Sequence, residues 1–176
     1  MAKDINKKGF TEETQLKLEI FQECFREWYP VFIHNKYITN VLIYDMFAGS
    51  GMDAKGNYGS PLILLQEAKG ENKQHCTFLS KQNAPQVYFG FNELLTHKEE
   101  ELESNISNYM QNCQKGCFFK CPFNRHIFFK SADFTALIKS TKLLQNLEDK
   151  NSAKFVLLDQ YGFKQIADDI FVKLIS

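Results

Sequence analysis

The sequence predicts a three-layer α/β/α domain built on a mostly parallel sheet, and three observations predict it. Short apolar runs such as 41–44, 87–91 and 155–158 lack polar alternation, as strands buried on both faces do. Stretches with helical apolar spacing lie between them. An acidic residue closes each of four expected strands: Asp45, Glu93, Asp133 and Asp159. Strands alternating with helices form parallel sheets with right-handed crossovers, and such sheets bind ligands at the carboxyl ends of their strands. The four acids therefore mark one end of the molecule as the candidate site.

Composition agrees with this class. The chain has 176 residues, of which 44% are hydrophobic and 24% charged, a globular balance with enough length for one real core. Its 17 phenylalanines predict an aromatic-rich interior. The formal net charge is zero, so no global field favours nucleic acid or an anionic membrane, and only a local basic patch could. No stretch approaches the ~20 apolar residues of a membrane span, and no membrane partner is expected. The polar, Lys-rich start does not read as a secretory signal. Five cysteines in that setting fit reduced thiols and a cytoplasmic location.

Residues 1–10 read as a flexible arm and 11–176 as the domain. Thr11 caps a helix on which Leu16, Ile20, Phe21, Cys24, Phe25 and Trp28 share one face, and Pro30 is expected to stop it. On that face Cys24 should be a buried thiol. Strand 41–44 runs into Asp45-Met-Phe-Ala-Gly-Ser-Gly51 and a polar loop reaching Gly59. Ser60 is the expected N-cap of the next helix, Pro61 suits its first position and Gly70 ends it. Residues 71–85 read as loop. Strand 87–91 closes with Asn92 and Glu93. A helix follows to about Met110, with Leu95, Leu102, Ile106 and Tyr109 inward, and Glu99, Glu100, Glu101 and Glu103 on a solvated face. Strand 126–129 ends near Asp133, a helix covers 134–147, strand 155–158 ends at Asp159, and a last helix starts near Ile166.

Chemistry begins at the bend after Asp45. Gly49 and Gly51 lack Cβ atoms, so the turn can be tight and a ligand can approach the backbone N–H groups. No Gly-Lys-Ser/Thr follows, so this is not a P-loop. An ordinary turn between core elements, with acids that only cap helices, is the plainer alternative.

Asp45-Met-Phe-Ala-Gly-Ser-Gly51 closely resembles motif I of the Rossmann-like class I S-adenosylmethionine (SAM)-dependent methyltransferases, in the Phe-Ala-Gly form common among those acting on nucleic-acid bases. The resemblance implies that Phe47, Ala48, Gly49 and Gly51 form a floor under the methionine part of SAM. It implies that Asp45 helps bind the methionyl amino group, directly or through water. Glu93 would hold the ribose hydroxyls and Asp133 would contact the adenine. Carboxylates suit both tasks, since they accept from a diol or an exocyclic amine. After strand four the family places an acceptor followed by two prolines and an aromatic residue. Here Asp159-Gln160-Tyr161-Gly162-Phe163 keeps Asp159 and the aromatic Tyr161 as catalytic candidates but lacks both prolines. A capping or loop-fixing Asp159 is the alternative.

A wider resemblance covers Lys17-Leu18, the Asp45 loop, Gly56 to Gly59-Ser60-Pro61-Leu62, and Leu158-Asp159-Gln-Tyr-Gly162-Phe163 in that order. The chain is similar in these to the three-Cys-motif partner family, named for a radical-SAM-type neighbour. This implies a methyltransferase-like fold and leaves two functions open: methyl transfer, with nucleic acid as a candidate acceptor, or a non-catalytic adenosyl-binding scaffold for a radical-SAM-type partner. By the same resemblance a complete sheet has three more strands, so the chain is expected to be the N-terminal portion of that fold or a shortened relative.

Cys113, Cys117 and Cys121 form C-x3-C-x3-C, with His126 nearby. On one helix that spacing would align three thiols for a metal or for simple packing, and packing is preferred because no second paired motif accompanies them. Lys115, Lys120, Arg125 and Lys130 interleave with Phe118, Phe119, Phe123, Phe128 and Phe129. That mixture suits single-stranded nucleic acid or, equally, an ordinary sheet and its hairpin.

Overall fold

A computed structural model describes residues 9–115 and 120–159 of the chain. The elements run α1 (Glu12–Ile33), β1 (Asn40–Asp45), α2 (Ser60–Lys69), a 3-10 turn (Glu71–Lys73), α3 (Gln74–Leu79), β2 (Gln86–Asn92), α4 (Thr96–Gln114), β3 (Ile127–Lys130), α5 (Phe134–Leu137), α6 (Thr141–Glu148) and β4 (Ser152–Leu157). The four strands form one sheet in the order β3-β2-β1-β4, every pair parallel. The α/β class and parallel sheet are thus as expected.

Thr11 caps α1 as predicted, its hydroxyl accepting from the Thr14 amide. Pro30 does not stop the helix, which continues to Ile33. Pro30 lacks only its own N–H, and the last turn buries Tyr29 and Ile33, each 1% exposed. The buried stripe is Phe25, Tyr29 and Ile33, rotated from the expected face. Leu16, Ile20 and Cys24 are exposed, which corrects the buried thiol. Arg26 and Gln22 of α1 both reach Glu67 of α2 and fix the pair side by side.

Two apolar layers flank the sheet. One unites α1, α2 and α4 with Val41, Ile43, Val87, Phe89 and Phe91. It holds the aromatic interior, with Phe25 5.0 Å from Tyr29 and from Phe155 between ring centres. The other joins Phe134, Ile138 and Leu143 to Tyr44, Met46 and Val156.

Three local expectations change. Residues 71–85, read as loop, contain the 3-10 turn and α3, which buries His75 and Cys76. The helix expected over 134–147 breaks in two, and Ser140 caps the second part by accepting from Leu143. Leu95 is no inward residue of α4 but stands just before it, 44% exposed, and Met110 fills the buried face with Leu102 and Ile106. The arm over residues 1–8, Cys117, Phe118, Phe119, Tyr161 and the last expected helix lie outside the described residues.

Candidate site at the carboxyl ends of the strands

Strand order alone selects the place. From β1 the chain steps outward to β2 and β3, then returns to the other side of β1 for β4. The direction therefore reverses between β1 and β4, and parallel sheets open a crevice at the carboxyl ends beside such a reversal. The loop after Asp45 lies there, with the Met46 amide donating to the Leu157 carbonyl at 3.1 Å.

Gly49 and Gly51 have φ of +61° and +75°, the left-handed region that the motif anticipates. Phe47 and Gly49 are half-buried, while Ala48, Ser50 and Gly51 are buried. Phe47 lies 5.1 Å from Phe134 between ring centres. Asn105 of α4 donates to the Ser50 carbonyl at 2.9 Å and holds the far side of the bend.

Asp45 is 0% exposed. It accepts from the Ser60 hydroxyl at 2.7 Å and the Phe47 amide at 3.1 Å. Gly59, not Ser60, is the N-cap of α2, so Ser60 ties the helix start to the strand end. Burial pushes the Asp45 carboxyl up to about 6; Ser60 and Phe47 oppose the rise, and the charges of Asp159 and Glu93 add to it. Asp45 opens the bend and Glu93 bonds its Gly49 amide, so these two strand-end acids meet there. Because Asp45 is covered, no direct path from it to a ligand amino group is open.

Glu93 faces the bend. One of its oxygens accepts from the Gly49 amide and the other from the Leu95 amide, both at 3.0 Å. Each oxygen keeps a further lone pair for a hydroxyl donor. Asp159 stands 3.8 Å from the Lys17 ammonium. Asp133 is exposed and caps α5; the Thr135 hydroxyl, then the Ala136 and Thr135 amides, donate to it and hold its carboxyl below the usual range.

Two residues were missed by sequence reasoning. Asn92, 4% exposed, donates to the Met46 and Ala132 carbonyls at 3.1 and 3.0 Å and so clamps the bend to the end of β3. Its Oδ1 is buried and has no partner among the described residues, an acceptor that a ligand N–H or water would satisfy. A polar residue closing an apolar strand was its visible mark. Asp53 is the second. It accepts from the amides of Phe10, Lys55 and Asn57 and from the Asn57 side chain, closing the loop to Gly59 and tethering the start of the domain. Burial raises its pKa, but these donors outweigh burial and hold it at about 2.

The helix that would align the thiols does not reach from Cys113 to Cys121: α4 ends at Gln114, Cys121 is not helical, and Cys117 lies outside the described residues. Among the described residues no group of three side chains could hold a metal ion, and no helix is long and apolar enough to cross a membrane. Two surface clefts, of about 390 and 380 Å³, lie at the other end of the sheet, lined by residues such as His34 and His75 or Arg125 and His126 that precede strands. The bend after Asp45 lines neither; Phe47, Gly49 and Glu93 are half-buried there. Compared with known protein families, curated proteins and solved structures, the chain matches none.

Proposed function

We propose that the bend from Asp45 to Gly51 binds an adenosyl ligand, SAM or its demethylated product, and that the chain is a SAM-dependent methyltransferase-like protein with nucleic acid as candidate acceptor. The observation that carries this reading is Glu93. Its carboxylate, at the carboxyl end of β2, sits against the Gly49 amide, with lone pairs free for a ribose diol. The unpartnered Asn92 oxygen is a second acceptor beside the same bend. Phe47 and Gly49 would form the floor, Asp45 would fix the loop through Ser60 and Phe47, and Asp133 would border the adenine from the α5 start. Bound SAM would supply an electrophilic methyl group. Asp159, paired with Lys17, would accept a hydrogen bond from the methyl acceptor, and Tyr161 would follow it in the chain.

Isothermal titration with SAM and S-adenosylhomocysteine tests this. Binding should appear with both and weaken about tenfold or more in Glu93→Ala, since a charged acceptor of paired hydroxyls is lost. Absence of heat with either ligand sinks the cofactor assignment.

A second reading, an adenosyl-binding scaffold for a radical-SAM-type partner, is favoured by α1. Leu16 and Ile20, one turn apart, are 58% and 52% exposed there, an apolar pair suited to protein contact. Co-purification with such a partner, without methyl transfer to nucleic acid or protein, would support it.

A further inference from the structure

The second apolar layer, which seats α5 and α6 on β1 and β4, contains no residue of β2 or β3. On that face of β3 and the residue before it, strand alternation points His126, Phe128 and Lys130 the same way, while Ile127 and Phe129 pack into the opposite layer. Phe128 is 55% exposed. Tyr88 of β2 stacks between its neighbours, 4.5 Å from His126 at 27° and 6.4 Å from Phe128 at 22°. The result is a row of three nearly parallel rings whose outer member is open to solvent.

Cations border the row. Lys120, Arg125 and Lys130 are all exposed. The cleft of about 380 Å³ beside it is lined by Lys120, Arg125 and His126, and among the described residues no carboxylate lines it. Nδ1 of His126 is buried and lacks a partner among the described residues. In a chain of zero net charge, this is a local concentration of positive charge on an aromatic surface.

We propose that the β2–β3 face binds single-stranded nucleic acid, with a base stacked on Phe128 and phosphates held by Lys120, Arg125 and Lys130. Every base has a flat π-face and every linkage a negative charge, so an exposed ring flanked by cations matches both at once. Aromatic residues on neighbouring strands of an open sheet are an established way to stack successive bases. The row also leads toward the candidate site: the Lys130 carbonyl accepts from the Glu93 amide at 3.0 Å. A strand lying along it would arrive at the carboxyl ends of β2 and β3.

Fluorescence anisotropy with labelled oligo(dT) and oligo(rU) at about 50 mM salt tests the proposal. Binding of either is expected, and the tighter of the two identifies DNA or RNA as the source. Phe128→Ala should weaken it at least about fivefold while Phe128→Trp retains it. Lys130→Ala should lower the salt slope by about one. Phe128 is exposed, so these variants keep the core intact. No binding of either oligonucleotide, or equal binding by Phe128→Ala and Phe128→Trp, overturns the proposal. So does sedimentation as a dimer that Phe128→Ala dissociates, which would give the face to a second copy. Oligonucleotide binding is read without SAM, so failure of the adenosyl reading leaves this result standing.

Discussion

At Gly51 a Cβ atom would lie 2.7 Å from Leu102 Cδ1, on a backbone whose φ is +75°. Gly51→Ala therefore combines a clash in the core with a conformation that L residues rarely adopt. It should lower unfolding free energy by about 1–3 kcal/mol, read from urea midpoints. Asp45 governs the same bend through charge. Its folded pKa of about 6 lies above the unfolded value of about 4, so the native state holds the proton more tightly. Stability from Asp45 is present below about pH 4 and is lost as pH rises through 6. Relative to Asp45→Asn, the wild type should lose roughly 1–1.5 kcal/mol between pH 5 and pH 7 in urea titrations. Asp53 has the opposite sign. With its pKa held at about 2, its contribution is present above about pH 4 and is lost as pH falls toward 2.

Among elements, the loop from Gly51 to Gly59 is a closed clasp rather than a free connection. Gly59 donates to the Gly51 carbonyl at 2.8 Å, Met52 bridges Tyr58, and Asp53 gathers four donors inside. Asp53→Ala should open it, with hydrogen exchange at the Asn57 amide accelerated about tenfold or more. The clasp was not legible beforehand, because its bonds depend on backbone amides that any residue supplies. The β-strands were legible as short apolar runs, although β3 is packed on one face only and α2 carries a run of the same kind at 62–65. α3 was not, because six residues with one histidine and one threonine carry too little periodicity. The break at Ser140 was missed for a related reason: helical spacing continues across it while the capping hydroxyl redirects the backbone. Pro30 misled because a proline removes one bond, whereas the turn beyond it buries Ile33.

For the whole molecule, the order β3-β2-β1-β4 decides which acids meet. Four strand-end carboxylates were visible in the sequence, but their roles were not. Topology brings Asp45 and Glu93 to one bend, while Asp133 is engaged as the cap of α5. Ser60 and Asp45 are 15 residues apart, and only the fold makes them partners. In the proposed function an adenosyl group lies over this bend. Amide shift mapping during titration with S-adenosylhomocysteine tests it most directly. Saturable shifts are expected at Gly49, Gly51, Asn92 and Glu93, with the His34–His75 cleft unmoved. Saturable shifts confined to that cleft, or no shift at Gly49 and Glu93, would contradict it.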